Sequence, residues 1–262
     1  MINAMEKIIF FGNGPLADYT LGVLSKKIDV IFHARDKEDL ETVKLLKAKN
    51  PEAHGVLASF GVLIKSDVLD IFEPEGILNI HPSLLPKYRG ASPIESAILA
   101  GDTEFSVSVM KLVKAMDAGP IYFQETLKGL PICKNDIYKA LAECGANWLC
   151  EHISDLSDPA LQDDSKATFC GKFDKSMSEL TPETDTAEQT FRKIVAFQGF
   201  PKPKYTFFGL KCIVIEAHVA DSDENLALFI ECADGKKVAI DKLQPEGRKV
   251  MDAKSFLNGY KK

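Results

Sequence analysis

Short apolar runs alternate with helix-like segments through roughly the first 155 residues, and this alternation allows that region only a few architectures. Residues 6–12 have the pattern of a buried strand that breaks at a glycine, and residues 15–27 have the pattern of a helix. Further strands are expected at residues 28–32, 56–59, 76–81, 105–112 and 121–127, and further helices at 36–49, 66–72, 93–100 and 135–154. Residues 105–112 alternate as a half-buried strand does. Strands that alternate with helices predict a mostly parallel sheet covered on both faces.

The pattern changes after about residue 155. A turn-rich stretch leads to a helix expected at residues 187–197, and short strands are expected at 205–208, 212–219, 226–232 and 237–240. Ala233-Asp-Gly235 supplies a hairpin turn. The sequence therefore predicts an α/β chain of two domains: a Rossmann-like domain at residues 1–172, and a linker helix with an OB-like β-barrel at residues 173–262.

Composition excludes some classes of protein and leaves others open. The chain is 45% hydrophobic and 27% charged, and no apolar run approaches the roughly 20 residues that a membrane span needs. The N-terminus lacks the apolar core of a signal peptide, so we expect a cytoplasmic protein whose six cysteines are free thiols. The histidines and cysteines show no metal-ligand spacing, so no metal is expected. Residues 171–262 carry 15 basic and 14 acidic side chains, which neither predicts nor excludes a nucleic-acid partner.

Residues 79–93 carry the densest functional pattern in the chain. The expected strand at 76–81 ends on the polar residues Asn79 and His81, and a proline-bounded loop that contains Arg89 follows at once. Residues at i and i+2 of a strand point to the same face, so these two side chains project together. Ligands of open parallel sheets bind beyond the carboxyl ends of the strands. An amide donor beside an imidazole is suited to an acyl-type oxyanion and its proton transfers.

The turn after the first strand supports a second interpretation. Gly12-Asn-Gly14-Pro-Leu-Ala17 has the spacing of a dinucleotide-binding turn, and Arg35-Asp36 follows the next strand, near where a ribose-binding acid would lie. This pattern is the best support for a rival interpretation, a nicotinamide-linked oxidoreductase. The preferred interpretation is the tight strand-to-helix turn that any doubly wound fold requires, because Pro15 stiffens the helix entry and the motif alone is weak.

Asp117 also has two interpretations. It belongs to Lys114-Ala-Met-Asp117-Ala-Gly-Pro120, and aspartate and glycine are common turn residues. The same carboxylate, in a tight loop between two strands, could pair with a histidine and orient its ring. Taken in isolation, the turn is the better interpretation of the residue.

Together these motifs resemble the folate-dependent formyltransferase family. The resemblance rests on Asn79-x-His81, on Ser83-Leu-Leu-Pro86 and on Asp117, which lies 36 residues after His81 in an Asp-Ala-Gly setting. Within the family, the chain is most similar to members that act on methionyl-tRNA. The similar segments are residues 86–94 and 97–101, Gln162, Lys172, the helix near 187–197, the turn at 201–203, and residues 241–244 and 256–259.

The resemblance implies an activity and a set of site residues. It implies transfer of the formyl group of 10-formyltetrahydrofolate to the α-amine of methionine on initiator tRNA, with no metal and with a monomeric enzyme. Asn79, His81 and Asp117 would be catalytic. The folate pocket would be formed by Ser83, Leu84, Leu85, Pro86, Gly61, Val62 and Leu63. The tRNA would contact Arg89, Lys202, Lys204, Lys211, Arg248 and Lys249, and residues 173–262 would be the tRNA-binding domain.

One interval departs from the pattern of the family members that act on tRNA. Those members carry a longer segment with a basic loop between the second and third strands, whereas here Ala34–Pro51 has the pattern of one charged helix. The short interval suits an alternative in which the acceptor is an amino sugar linked to a nucleotide. The second domain favours tRNA over that sugar and over a glycinamide ribonucleotide. The complete Asn79, His81 and Asp117 set argues against an inactive folate- or RNA-binding protein.

Overall fold

The computed structural model describes residues 5–156, 158–221, 224 and 227–260. By its internal contacts the chain divides into two compact units. The first unit extends to Ile94 and resumes at Thr103–Gly171, and the second contains Glu95–Asp102 and the chain from Lys172 onward. The contiguous division expected at residue 172 does not foresee that the segment 95–102 belongs with the second unit.

The first unit is built on a six-stranded sheet with the strand order β2-β1-β3-β4-β6-β7. Strands β1 to β4 are parallel to one another, and β6 and β7 continue the sheet in antiparallel fashion. A separate short pair joins β5 to β8. The strands are β1 (Lys7–Gly12), β2 (Asp29–Ala34), β3 (His54–Ala58), β4 (Ile77–His81), β5 (Arg89–Gly90), β6 (Phe105–Lys111), β7 (Ile121–Leu127) and β8 (Phe169–Cys170). The predicted mostly parallel sheet is confirmed.

Five helices accompany this sheet along the chain. They are α1 (Pro15–Leu24), α2 (Leu40–Lys49), α3 (Ser66–Leu69), α4 (Pro93–Ala100) and α5 (Lys134–His152). Most of α4 groups with the second unit, while α1 and α5 pack against each other. Helix α1 begins with Pro15 directly after Gly14, as is usual for proline at the first helical position. Strands β1, β3 and β4 are almost wholly buried, which explains their continuous apolar sequences.

The prediction of a half-buried β6 is wrong. All of its residues from Phe105 to Met110 are buried. The alternating serines that suggested a solvent face are satisfied inside the protein instead: Ser106 Oγ lies 2.9 Å from Thr126 Oγ1, and Ser108 bonds to the loop that follows β4. Because the serine hydroxyls have hydrogen-bond partners, both faces of this strand can be buried.

The second unit is an antiparallel half-barrel with helices against it. Its elements are α6 (Ala187–Ala196), β9 (Lys204–Phe207), β10 (Leu210–Val219), β11 (Phe229–Glu231), β12 (Lys237–Pro245), β13 (Met251–Asp252) and α7 (Ala253–Tyr260). The strand order is β11-β12-β10-β9, and β13 pairs with β12. Within the described residues no β9–β11 pairing closes a full barrel. The core of this unit includes Ile194 of α6 and Phe256 of α7. The predicted strand at 226–232 is observed as β11, and its first residue, Leu226, lies outside the described residues.

Two further observations concern the cysteines and the helices. Cysteines 133, 144, 150, 170, 212 and 232 are all free. No helix in the ranges that the structure describes combines the length and the apolar character needed to cross a bilayer.

Candidate active site

Asn79 and His81 lie at the carboxyl end of β4, in the middle of the sheet. Asn79 pairs with Leu57 of the parallel strand β3 on one side and with Met110 of β6 on the other. Both polar side chains are only 5% exposed. The strand that carries them is buried throughout, so its backbone holds the two side chains in fixed relative positions. The two side chains therefore lie where the sequence predicted them, at the carboxyl end of a strand in the sheet.

The two ring nitrogens of His81 face different groups. Nε2 lies 3.0 Å from the main-chain oxygen of Tyr88, which can only accept a hydrogen bond, so this nitrogen carries a proton. Nδ1 lies 3.8 Å from Asp117 Oδ2, an ion-pair distance that is longer than a hydrogen bond. Nδ1 is thus the nitrogen that faces the carboxylate and can take part in proton exchange.

Asp117 occupies a strained turn between β6 and β7. Its φ is +48°, the left-handed region that residues with side chains seldom adopt. Its Oδ2 accepts a hydrogen bond of 2.8 Å from the backbone N–H of Gly90, which fixes the carboxylate on the side of His81. Both interpretations of Asp117 hold, since the residue forms a turn and its carboxylate approaches the histidine.

The amide of Asn79 is available to a ligand. Its side chain makes no hydrogen bond to another described residue, and the amide atoms are not among the fully enclosed polar atoms of the described chain. An amide in a rigid strand can donate to a developing negative charge with little reorganisation.

Two loops beside this pair contain the residues expected to hold folate. Gly61, Val62 and Leu63 follow β3, and Leu63 is 78% exposed. In the loop after β4, Leu84 is 45% exposed, whereas Ser83 and Leu85 are buried. Leu63 and Leu84 thus offer apolar surface to a ligand.

Ser83 and Leu85, which were also expected to hold folate, are buried, and their polar groups have hydrogen-bond partners inside the protein. Ser108 Oγ donates to the main-chain oxygen of Ser83 at 2.6 Å and accepts the N–H of Leu85 at 3.2 Å. Gln124 Nε2 donates to the oxygen of Leu85 and to Ser108 Oγ, both at 2.9 Å. Sequence reasoning missed Ser108 and Gln124, although a serine within an apolar strand was a signal for the first of them.

Arg89, which was expected to contact tRNA, is bonded inside the protein. Its side chain is buried, and its guanidinium donates to Gln162 Oε1 at 2.8 and 3.1 Å and to Asp164 at 2.7 Å. A guanidinium with these partners is not presented to a phosphate. These contacts give Arg89 an internal role, which keeps Arg89 and Gly90 beside the Asp117 loop.

The expected tRNA-binding lysines of the second unit lie together. Lys202, Lys204 and Lys211 line a groove of about 480 Å³, together with Lys175 and the half-exposed ring of Phe200. A hydrogen bond and the negative charge of Glu179 raise the pKa of Lys211, whose Nζ lies 2.6 Å from that carboxylate. Arg248 and Lys249 are exposed and follow Gly247, the last residue of the groove wall.

The glycine-rich turn after β1 has a structural explanation. A side chain on Gly12 would meet the main-chain oxygen of Ala58 at 2.5 Å, so glycine is needed for the strand and helix to approach. The main-chain oxygen of Gly12 also accepts a hydrogen bond of 2.9 Å from His33 Nε2. Gly14 has a positive φ of 87° and precedes Pro15, which has no N–H to offer a phosphate.

Comparison with known proteins decides the family. The chain matches the formyl transferase family over residues 16–153 and the formyl transferase C-terminal domain over residues 173–261. The chain belongs to the formyl transferase family. Membership of this family and the geometry at Gly12 both favour the structural role of the glycine-rich turn over nicotinamide binding.

Individual formyl transferases and related structures cover most of the chain. Methionyl-tRNA formyltransferase of Dictyoglomus turgidum is 32% identical over 271 residues, which cover 94% of this chain and 82% of that protein. HypX from Aquifex aeolicus in complex with tetrahydrofolic acid matches with a TM-score of 0.75 and 19% identity; 98% of this chain corresponds to 48%, or about half, of HypX. Methionyl-tRNA formyltransferase from Clostridium thermocellum matches with a TM-score of 0.67 and 18% identity, over 95% of this chain and 99% of that protein. These structural matches bear on the fold alone.

Proposed function

We propose that this chain transfers the formyl group of 10-formyltetrahydrofolate to the α-amine of initiator methionyl-tRNA. The observation that carries the proposal is the convergence of Asn79, His81 and Asp117 at one end of β4, in a chain of the formyl transferase family. The similarity to Methionyl-tRNA formyltransferase of Dictyoglomus turgidum over nearly the whole chain supports this acceptor.

The reaction begins when the neutral amine of the methionyl group attacks the formyl carbon. A carbon–nitrogen bond forms, and the formyl oxygen takes on negative charge in a tetrahedral intermediate. The amide of Asn79 donates a hydrogen bond to that oxygen. One such preorganised donor is typically worth about 3–4 kcal/mol in the transition state.

His81 manages the proton released from the attacking amine. Its Nε2 is held by the oxygen of Tyr88, so Nδ1, on the side of Asp117, takes up the proton. The oxyanion then re-forms the carbonyl, the bond between the formyl carbon and N10 breaks, and Nδ1 gives the proton to N10 as tetrahydrofolate leaves. Asp117 compensates the positive charge of the ring during this exchange. The 3.8 Å gap between them allows the ring to adjust, since catalytic hydrogen bonds often tighten only when substrate is bound.

The donor and the acceptor meet the chain at different places. Leu63 and Leu84 provide apolar surface for the folate ring system beside the catalytic pair. Lys202, Lys204 and Lys211, with Lys175 and the flanking Arg248 and Lys249, contact tRNA phosphates.

The lysines of the short interval are less suited to phosphate binding. Lys44 is paired with Glu41 and Asp67, and Lys47 donates to the main-chain oxygens of Pro51 and Ala53, both at 2.7 Å. Among the groove lysines, Lys211 is paired in the same way with Glu179, whereas Lys175, Lys202 and Lys204 form no ion pair with a described residue. The second unit therefore carries the greater part of the electrostatic contact with tRNA in this proposal.

The proposal predicts that His81→Ala and Asp117→Ala each lower turnover by at least about 100-fold, because each removes a group that acts in proton transfer. Turnover is measured as labelled formyl transferred from 10-formyltetrahydrofolate to methionyl-tRNA. His54→Ala is the matched control. His54 is a half-buried histidine at the start of β3, the end of that strand away from the catalytic residues. Circular dichroism verifies that each variant is folded. Near-normal turnover of a folded His81 or Asp117 variant would contradict the assignment.

A further inference from the structure

All donor and acceptor sites of the Gln162 amide are occupied by hydrogen bonds to Arg89 and to the Asp117 loop. Its Oε1 accepts two hydrogen bonds from Arg89, at 2.8 Å from Nη2 and 3.1 Å from Nε. Its Nε2 donates to the main-chain oxygen of Asp117 at 2.8 Å and to that of Gly119 at 2.7 Å. Two acceptor sites and two donor hydrogens are all that a glutamine amide possesses. Nothing in this arrangement remains for a substrate, so its role concerns the residues that it binds.

The loop that Gln162 binds is one that needs to be held. Asp117 has a positive φ of 48°, a conformation that persists in a residue with a side chain only where its surroundings impose it. Gly119 lies so close to the crossing backbone that a side chain there would meet the main-chain oxygen of Lys111. The amide of Gln162 bonds to both of these residues and so spans the turn.

Arg89 links Gln162 to the other contact of the Asp117 carboxylate. Gly90, the next residue, donates its N–H to Asp117 Oδ2 at 2.8 Å. Arg89 is itself fixed by Asp164 at 2.7 Å and by its N–H bond of 2.8 Å to the oxygen of Thr168. Asp117, Gly90, Arg89 and Gln162 therefore form a closed ring of covalent and hydrogen bonds. This ring fixes the main chain and the carboxylate of Asp117 at the same time.

We propose that Gln162 is a positioning residue for formyl transfer, which acts by holding Asp117 in the orientation that serves His81. The kinetic test of this inference rests on the proposed function. The hydrogen bonds that support the inference do not depend on that function. Gln162 forms no hydrogen bond to Asn79 or His81. We therefore expect it to affect the rate only by fixing the position of Asp117.

Gln162→Glu is the sharpest variant because it keeps the size of the side chain and its pairing with Arg89. It replaces the two N–H donors with an oxygen that faces the main-chain oxygens of Asp117 and Gly119, so the loop is pushed away. We expect the turnover number to fall at least about 10-fold, as small misplacements of catalytic groups do, while the KM for the folate donor changes less than about twofold. Gln198→Glu is the matched control, since Gln198 is a half-buried glutamine that donates to the oxygen of Ile215 in the second unit.

A double variant separates positioning from loss of structure. In the background of Asp117→Ala, Gln162→Glu should lower turnover no further, because the residue through which it acts is gone. The proposal would be overturned if Gln162→Glu lowered turnover by the same factor in the Asp117→Ala background as in the wild type. Normal turnover of Gln162→Glu alone would also overturn it.

A measurement on the unsubstituted protein tests the clamp even if the variants do not fold. Nuclear magnetic resonance should show slowly exchanging Nε2 protons of Gln162, with through-hydrogen-bond couplings to the carbonyl carbons of Asp117 and Gly119. Rapid exchange without those couplings would overturn the proposal. A protein that shows the couplings but transfers no formyl group would count against the proposed function and leave the clamp itself supported.

Discussion

At the scale of single residues, Ser108 shows how one buried hydroxyl holds a functional loop. The side chain is fully buried and has three hydrogen-bond partners: Ser83, Leu85 and Gln124. Ser108→Ala leaves buried main-chain groups of the loop without partners, so we predict a loss of about 1–3 kcal/mol in the free energy of unfolding. Urea unfolding measures this loss. Turnover should fall as well, because the loop follows His81 directly.

Ser106→Ala is a matched control for that prediction. Ser106 lies on the same strand and the same face, but its hydroxyl has a single side-chain partner, Thr126 Oγ1 at 2.9 Å. Thr126 is partly exposed and can bond to water instead, so the loss should be smaller than for Ser108→Ala. Equal losses would show that the loop contacts of Ser108 contribute nothing to stability.

The site residues differ in how far the sequence could predict them. Asn79 and His81 could be placed together because the i and i+2 relation within one strand is local. The approach of Asp117 to His81 was one of two interpretations of its loop. The local pattern favoured a plain turn, and only the resemblance selected the pairing with His81. The contacts of Gln162 and the burial of Arg89 depend on segments that meet only in the folded chain, so they were not foreseen.

At the scale of elements, His218 links strand β10 to its surroundings. Its Nδ1 lies 2.9 Å from Asp241 Oδ2 on β12, and its Nε2 lies 2.9 Å from Glu224 Oε1. Hydrogen bonds to Asp241 and then Glu224 raise the pKa of His218. A folded-state pKa above the unfolded value stabilises the fold below the unfolded pKa, and this stabilisation is lost as pH rises through the folded pKa.

This pH dependence predicts a difference between the wild-type chain and His218→Gln. The wild type should exceed the variant in free energy of unfolding at about pH 5.5, and the excess should shrink by about pH 9, when the histidine is neutral in both states. Urea unfolding at the two pH values measures it. The effect should be modest because all three side chains are substantially exposed. An excess that grows with pH would contradict the assigned direction.

Element boundaries were predictable where local chemistry marks them. Pro93–Ala100 and Ile121–Leu127 have the predicted bounds, since a proline opens the first and the apolar pattern delimits the second. The Ala233–Gly235 turn joins β11 to β12 as expected, with Gly235 at a positive φ of 73°. The small β-domain was predictable from its strand patterns, whereas the packing of Ile194 and Phe256 into its core was not, because that packing depends on the tertiary structure.

At the scale of the whole molecule, the groove lysines predict how binding of tRNA depends on salt. The logarithm of the tRNA association constant should fall linearly with the logarithm of salt concentration, because bound phosphates release counterions. Lys202→Gln, Lys204→Gln and Lys211→Gln should each weaken binding and reduce the slope by up to about 1. Filter binding or fluorescence anisotropy over a range of salt concentrations measures both quantities.

Lys236→Gln is the control for the groove lysines, since Lys236 is exposed in the β11–β12 hairpin and does not line the groove. It should leave the affinity and the slope nearly unchanged. Groove variants that behave like this control would place the phosphate contacts elsewhere on the chain.

The most direct test is transfer of labelled formyl from 10-formyltetrahydrofolate to three acceptors in parallel. These are initiator methionyl-tRNA, elongator methionyl-tRNA and an amino sugar linked to a nucleotide. The proposal predicts formylation of the initiator alone, which would also show that the short interval 34–51 suffices for selection. Formylation of the sugar with no tRNA product would contradict the proposed acceptor, and no formyl transfer to any of the three would contradict the proposed chemistry.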